Sequence, residues 1–138
     1  MSDLEIIRQE VSQSRRVLIV EDEAPLADVI QRALHRAGFE AEIALDGRMA
    51  AGLIKEFQPA IITLDLQMPN LNGMDFLRIL RSNSRFRKTK ILVVSAMAGS
   101  VLQESLAMGA DAALAKPFRT AALIEKIVEL TESFEKAA

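Results

Sequence analysis

Polar residues that could carry chemistry follow four short apolar runs in this sequence. Glu21 and Asp22 follow the first of these runs, and Asp65, Ser95 and Lys116 follow three later ones. An acidic residue or a serine in such a place often does no more than begin the next helix or turn. Asp65 differs, because apolar residues continue after it and the next expected helix begins several positions later. Helix capping therefore does not explain Asp65, and we expect this carboxylate to be functional.

Three carboxylates at one place would repel one another, and that repulsion points to a metal ion. If Glu21, Asp22 and Asp65 converge, two of them about 4 Å apart repel by on the order of 4 kcal/mol at an effective dielectric near 20. A hard divalent cation offsets this cost, and oxygen ligands without His or Cys favour Mg²⁺ over zinc. The cation would also allow an anionic phosphoryl group to approach a carboxylate nucleophile, and Lys116 could contact the same group.

A parallel sheet is needed to bring these residues together. Nearly unbroken apolar runs, typical of strands buried on both faces, cover Val17 to Val20, Ala60 to Leu64 and Ile91 to Val94. Weaker strands are expected at about Glu40 to Leu45 and at Ala112 to Ala115. Helical patterns alternate with the strands in five repeats, which predicts a doubly wound α/β fold with right-handed crossovers. The carboxyl ends of parallel strands form the site-bearing edge of such a sheet.

The predicted helices lie near residues 26–37, 47–57, 72–81 and 100–108, and a last one begins near residue 119. Residues 1–15 precede the repeats and are expected to be an N-terminal extension or linker, with one domain over 16–138. Ser2 and Glu5 match a capping box, and Leu4, Ile7 and Val11 share a helical face, so a short extra helix is plausible. A frayed tail is the alternative.

Composition excludes several classes of function. With no cysteine, the 138 residues can form no disulfide and no thiolate metal site. The single histidine, His35, lies in an amphipathic helical pattern and is expected at the surface. The net charge of -2 argues against a dedicated nucleic-acid binder, and the basic residues from Arg85 to Lys90 are expected to form a solvated loop. No signal peptide or membrane-spanning run is present, which predicts a soluble, cytoplasmic protein.

Four motifs stand in order at the ends of the expected strands. They are Val-Leu-Ile-Val-Glu21-Asp22-Glu23, Leu-Asp65-Leu-Gln-Met68-Pro69-Asn-Leu-Asn-Gly73, Val-Val-Ser95-Ala96, and Gly109-Ala110-Asp111 leading to Lys116-Pro117-Phe118. Together they make the sequence from about Arg16 to Leu130 resemble the receiver domains of two-component response regulators, of the chemotaxis-regulator type. The resemblance implies a flavodoxin-like fold with five helices and a five-stranded parallel sheet in the strand order 2-1-3-4-5.

The resemblance also implies a role for each residue of the metal site. Asp65 would be the phosphoacceptor and Asp22 a direct Mg²⁺ ligand, whereas Glu21 would act mainly through metal-bound water. The backbone carbonyl of Gln67 would complete the protein ligands.

Two further residues would respond to the phosphoryl group. Ser95 would donate a hydrogen bond to it and Lys116 would pair with it, and the bond before Pro117 is expected to be cis. Met68-Pro69 and Gly73 would shape the loop that follows Asp65.

By the same resemblance, the chain would accept a phosphoryl group from a sensor histidine kinase or a histidine phosphotransfer protein and would switch contacts with a downstream protein target. It would catalyse its own phosphorylation and dephosphorylation without being a dedicated enzyme. No output segment follows the last helix, so we expect output through protein contact or dimerisation, with no direct contact to nucleic acid or membrane.

The sequence departs from the family pattern at Ala113, where the family usually has Tyr or Phe three residues before the lysine. That departure puts the usual aromatic part of the switch in doubt. Gln67 and Met97 occupy the two positions that modulate phosphoryl lifetime in the family.

Three other hypotheses remain open. A phosphohydrolase of the haloacid-dehalogenase type would need a second acidic residue two positions after the nucleophile, where this chain has Gln67. A flavodoxin-like cofactor binder is disfavoured by the acidic first loop. The third hypothesis is a module with the receiver fold that binds partner proteins without being phosphorylated.

Overall fold

Seven strands form one large sheet and one small hairpin. The computed structural model describes residues 1–97 and 99–137, with side-chain detail for all of these except residues 10, 11 and 133–137. The strands are β1 (Arg16–Val20), β2 (Glu40–Ala44), β3 (Ile61–Asp65), β4 (Gln67–Met68), β5 (Leu71–Asn72), β6 (Lys90–Ser95) and β7 (Ala112–Ala115). Five of them pair in parallel in the order β2-β1-β3-β6-β7. Counted within that sheet, this is the predicted order 2-1-3-4-5.

Six α-helices accompany the strands. They are α1 (Asp3–Ser14), α2 (Ala24–Arg36), α3 (Gly47–Phe57), α4 (Gly73–Ser82), α5 (Gly99–Ala107) and α6 (Thr120–Ala137). The five predicted helices of the strand-helix repeats are confirmed, with bounds shifted by one or two residues, and the extra N-terminal helix is formed as α1. The capping box predicted at Ser2 is present and begins that helix. The domain boundary between residues 15 and 16 remains a prediction.

The core lies in two layers, one on each face of the sheet. In β1, Val17 and Ile19 pack with α2 and α6, whereas Leu18 and Val20 pack with α3 and α4. Successive side chains of a strand point to opposite faces, so a strand covered on both sides is apolar at nearly every position. The nearly unbroken apolar runs in the sequence have this cause.

The antiparallel hairpin β4–β5 was not predicted. Its two strands are two residues each, too short for a periodic pattern. Pro69 and Asn70 form the connection, and Asn70 has a φ of 65°, a left-handed conformation that asparagine tolerates in turns. The hairpin places the chain after Asp65 above the carboxyl edge of the sheet and leads directly into α4.

The Gly109-Ala110-Asp111 motif has a structural explanation at the opposite, amino edge of the sheet. The Arg81 guanidinium donates to the Gly109 carbonyl oxygen at 2.7 Å and to Asp111 Oδ2 at 2.8 Å. Asp111 Oδ2 also accepts from the backbone N–H of Ile91 at 2.8 Å. These contacts tie α4 to the beginnings of β6 and β7.

One surface expectation is confirmed in full and one in part. His35 is exposed on α2, and Arg85, Arg87 and Lys88 are exposed between α4 and β6, but Lys90 is the partly buried first residue of β6. Within the part of the chain that the structure describes, no helix combines the length and the apolar character needed to cross a membrane.

Candidate functional site

Two neighbouring strand ends bring three carboxylates together at the carboxyl edge of the sheet. Glu21 follows β1, Asp22 stands next to it before α2, and Asp65 is the last residue of β3. Because β1 and β3 are neighbours in the sheet, their ends lie side by side. One ligand oxygen from each of the three residues lies within 4.8 Å of the others. The structure thus assembles the acidic cluster that the sequence predicted.

Burial makes this cluster electrostatically costly. Glu21 and Asp65 are only 1% and 2% exposed, and Asp22 is half-buried. Burial raises the pKa of Glu21 to about 7, and the neighbouring Asp65 charge acts in the same direction. The Lys116 ammonium and the Glu23 N–H, both hydrogen-bonded to Glu21, lower that pKa without cancelling the effect of burial.

Lys116 lies between the two buried carboxylates. Its Nζ is 2.7 Å from Glu21 Oε1 and 3.1 Å from Asp65 Oδ2. Burial lowers the pKa of Lys116, but the hydrogen bonds and charges of Glu21 and Asp65 outweigh burial and raise it above its usual value. Lys116 therefore stays charged, and it supplies the positive charge that the structure places against these two acids.

Asp65 is oriented by its own loop. Its Oδ1 accepts a hydrogen bond from the backbone N–H of Gln67 at 2.9 Å, while Oδ2 faces Lys116. The Gln67 side chain extends across the site, where its Oε1 accepts from the Ala96 N–H at 3.2 Å. The sequence placed Gln67 at a position that modulates phosphoryl lifetime in the family, but no pattern in the sequence signals this bridge to Ala96.

Ser95 is fully buried at the end of β6, next to β3 in the sheet. Its Oγ accepts a hydrogen bond from the backbone N–H of Met97 at 3.0 Å, and its carbonyl oxygen accepts from the Lys116 N–H at 2.8 Å. The hydroxyl is thus engaged within its own loop rather than with the acidic cluster. The peptide bond between Lys116 and Pro117 is cis, as expected.

The donor set fits a hard divalent cation. Among the described residues, three carboxylates lie within reach of one another and the Lys116 ammonium contacts two of them, and oxygen donors of this kind suit Mg²⁺. A carboxylate cluster beside a lysine at the carboxyl edge of a doubly wound sheet defines a class of site that can hold a cation and a phosphoryl group together.

Comparison with known proteins identifies the family. The family model described as "Response regulator receiver domain" matches residues 17–128, and the chain belongs to this family. A receiver-domain structure from Bermanella marisrubri is 44% identical with a TM-score of 0.80, covering 86% of this chain and 98% of that one. The chemotaxis protein CheY4 of Vibrio cholerae is 30% identical with a TM-score of 0.77, over 83% of this chain and 97% of that one.

A longer curated relative is also similar. The alkaline phosphatase synthesis transcriptional regulatory protein SphR of Synechococcus elongatus is 35% identical over 137 residues, which cover 91% of this chain and 52% of that protein. The chain spans about half the length of the curated relatives it matches. Receiver domains are signalling domains, and response regulators act together with histidine kinases and downstream targets.

Proposed function

We propose that Asp65 accepts a phosphoryl group and that this chain is the receiver of a phosphorelay. The observation that carries the proposal is the placement of one buried carboxylate, Asp65, within reach of Glu21 and Asp22 and 3.1 Å from the Lys116 ammonium. The donor would be a phosphohistidine of a sensor histidine kinase or of a histidine phosphotransfer protein. A downstream protein target would recognise the phosphorylated form.

The carboxylates of Glu21, Asp22 and Asp65, with the backbone carbonyl of Gln67, are the groups that would hold Mg²⁺. When bound, Mg²⁺ neutralises negative charge on the transferring phosphoryl oxygens and on the carboxylates around them. Asp22 is the candidate direct ligand because it is half-buried and accessible. Glu21 has both oxygens engaged, Oε1 with Lys116 and Oε2 with the Glu23 N–H at 3.2 Å, which suits an indirect role.

The chain's own residues then supply positioning and charge. One Asp65 oxygen forms a bond to phosphorus as the phosphorus–nitrogen bond of the donor breaks, and the leaving imidazole nitrogen takes up a proton. The Gln67 N–H holds Asp65 Oδ1 in place. Lys116 pairs with the phosphoryl oxygens, and the Ser95 hydroxyl donates to them once its loop moves toward the site.

Self-catalysis belongs to the same proposal. Water would later attack the phosphorus, the bond between phosphorus and the Asp65 oxygen would break, and inorganic phosphate would leave with the Asp65 carboxylate restored. The chain would thus catalyse its own phosphorylation and dephosphorylation without being a dedicated enzyme. A cytoplasmic location, where kinase and target would meet the chain, also remains part of the proposal.

Phosphorylation by a small donor tests the assignment. Acetyl phosphate with Mg²⁺ should add one base-labile phosphoryl group to the wild type and none to Asp65→Asn, as measured by intact mass. Asp28→Asn is the matched control, because Asp28 forms an exposed ion pair with Arg32 on α2. Equal phosphorylation of Asp65→Asn and the wild type would overturn the assignment.

Metal titration tests the ligand roles separately. Asp22→Ala should weaken Mg²⁺ binding more than Glu21→Ala, because a direct carboxylate ligand contributes more than one acting through water. Identical affinities of the two variants would contradict that ordering while leaving the role of Asp65 intact.

A further inference from the structure

Helix α1 exposes an apolar stripe that the rest of the domain does not cover. Leu4 is 57% exposed and Ile7 is 54% exposed, and Ile6 between them is also exposed. Clustered exposed apolar side chains on a folded protein often mark an interaction surface. Helix α1 also precedes residues 17–128, the part matched by the receiver-domain family, so the stripe lies outside what the family shares.

The spacing of the stripe is that of a coiled coil. In the sequence, Leu4, Ile7 and Val11 are separated by three and then four residues, which are the a, d and a positions of a heptad. Residues at these positions form a seam that a second helix can pack against. The seam faces outward at Leu4 and Ile7.

Helix α1 is held in place before any partner binds. At its beginning the Glu5 N–H donates to Ser2 Oγ at 3.1 Å and the Ser2 N–H donates to Glu5 Oε2 at 3.3 Å, forming the capping box. At its end Ser14 is buried, and the Arg15 guanidinium lies 5.1 Å from the centre of the Phe39 ring. Such preorganisation lowers the entropy cost of association.

Charged residues beside the seam determine which helix can pack against α1 and whether the two helices run parallel or antiparallel. Asp3 and Arg8 take the g and e positions that flank Leu4 and Ile7. In a parallel pair, a g residue lies near the e residue five positions later on the other helix, so Asp3 would face Arg8 of the partner subunit. In an antiparallel pair, g faces g and e faces e, which would bring like charges together. The surface is thus complementary to itself in the parallel direction only.

We propose that α1 packs in parallel against α1 of a second copy of this chain and forms a homodimer. The two seams would cover each other, and the Asp3–Arg8 contacts would form twice by symmetry. This proposal does not depend on phosphorylation. Helix α1 enters the amino end of β1, whereas the acidic cluster lies at the carboxyl end of the same strand, roughly 17 Å away at the usual rise per residue.

Sedimentation equilibrium of the full 138-residue chain, over a wide concentration range, tests the association. The wild type should approach twice the 15.2 kDa monomer mass, and Asp65→Asn should do the same. The double variant Leu4→Glu/Ile7→Glu should dimerise at least tenfold more weakly. Ile79→Glu is the matched control, because Ile79 is a 63% exposed apolar residue on α4 and should leave the dimer unchanged.

Disulfide trapping tests whether the two α1 helices pack in parallel. This test is valid even if the Leu4→Glu/Ile7→Glu variant does not fold. The chain has no cysteine, so a single engineered one reports only on itself. Under mild oxidation, Leu4→Cys and Ile7→Cys should each form dimers at least tenfold faster than Gln9→Cys, which lies on the opposite side of α1. Equal rates at the three positions, cross-linking at only one seam position, a monomer at all concentrations, or an assembly of more than two copies would each overturn the proposal.

Discussion

The Lys116 ammonium lies closer to Glu21 than to the phosphoacceptor candidate Asp65, at 2.7 Å from Glu21 Oε1 and 3.1 Å from Asp65 Oδ2. One side chain from the end of β7 therefore bridges the ends of β1 and β3. If Lys116 pairs with the phosphoryl group, as proposed, it must give up part of this bridge. The lysine would then have two roles that can be separated, a structural one with the carboxylates and the proposed signalling one with the phosphoryl group.

Lys116→Ala should reveal the structural role. Removing the ammonium leaves two buried carboxylates without their counter-charge, which we expect to lower the free energy of unfolding by about 2 kcal/mol in metal-free solution. Mg²⁺ should restore most of this loss, because the cation would neutralise the same oxygens. Urea unfolding in EDTA and in Mg²⁺ measures both values, with the exposed Lys88→Ala as the control. A loss that is the same with and without Mg²⁺ would contradict this account.

The pKa of Glu21 predicts an unusual pH dependence. Its value is about 7 in the folded chain against 4.5 for the ordinary side chain, so the folded state binds the proton more tightly. The resulting stabilisation is complete below about pH 4.5 and is lost as the pH rises through about 7. The metal-free protein should therefore lose on the order of 2 kcal/mol of unfolding free energy between about pH 5 and about pH 8.

Thermal or urea unfolding across that pH range, in EDTA, checks the effect. Glu21→Gln should flatten the profile, because the amide does not titrate, whereas Glu42→Gln, at an exposed site on β2, should leave it as in the wild type. If the unfolding free energy of the wild type depends on pH as little as that of Glu21→Gln, the pKa of Glu21 is not raised in the folded chain.

A pair of glycines tests the loop after Asp65. A Cβ on Gly73 would lie 2.6 Å from Leu66 Cα and 3.1 Å from the Asp65 carbonyl oxygen, so Gly73→Ala must displace the backbone next to Asp65. We expect it to cost about 1 to 3 kcal/mol of unfolding free energy and to slow phosphorylation by acetyl phosphate. Gly52→Ala is the matched control, because a Cβ there meets nothing within 4 Å and alanine should stabilise α3 by up to about 1 kcal/mol. Two variants of equal stability would show that the loop absorbs the methyl group without moving Asp65.

Much of this architecture was predictable because it depends on short-range patterns. The runs around Ile19, Ile62 and Leu92 indicate buried strands, since they are apolar at nearly every position and flanked by helical patterns. Parallel strands share a carboxyl edge, and the resemblance to receiver domains implied that the first and third strands are neighbours, so Glu21, Asp22 and Asp65 could be expected to meet. The closeness of these three residues follows from the sheet order and needs no knowledge of side-chain conformations.

The remaining features depend on side chains that meet across long stretches of sequence. Lys116 and Glu21 are 95 positions apart, and Gln67 and Ala96 are 29 apart. No local pattern specifies which oxygen a lysine contacts or where a glutamine side chain turns. The β4–β5 hairpin was missed for a different reason, because two-residue strands carry no periodicity.

The loop after Ser95 is the route by which phosphorylation of Asp65 would change the structure outside the site. The Ser95 hydroxyl accepts a hydrogen bond from the Met97 N–H at 3.0 Å. Moving that hydroxyl toward a phosphoryl group therefore removes the hydrogen-bond acceptor of the Met97 N–H. Met97 lines an open groove of about 590 Å³ between α4 and α5, together with Met68 and Met74. Ala113, in β7 opposite Val93 of β6, is partly buried and has only a methyl group with which to follow Ser95. The response should therefore go through the loop after Ser95 rather than through β7.

Methionine methyl NMR can follow this path, because the chain has six methionines and three of them line the groove. On phosphorylation by acetyl phosphate with Mg²⁺, the Met97 methyl resonance should move most, and Met49, on the exposed side of α3, should stay in place. Ser95→Ala should abolish the Met97 shift even though Asp65 is still phosphorylated, which intact mass would verify. Ala113→Tyr should add amide shifts along β7, because a ring can fill the space that Ser95 leaves.

Amide shifts of the wild type decide between the two routes. We expect large changes at Ala96, Met97, Gly99 and Ser100, the described residues of the loop and helix start, with Ala98 outside the described part of the chain. Changes along Asp111 to Lys116 should be clearly smaller, because Ala113 has no ring to carry the movement of Ser95 into β7. If the two sets of amides shift equally in the wild type, this chain switches through β7 without an aromatic ring, and the Ser95–Met97 hydrogen bond does not direct the response.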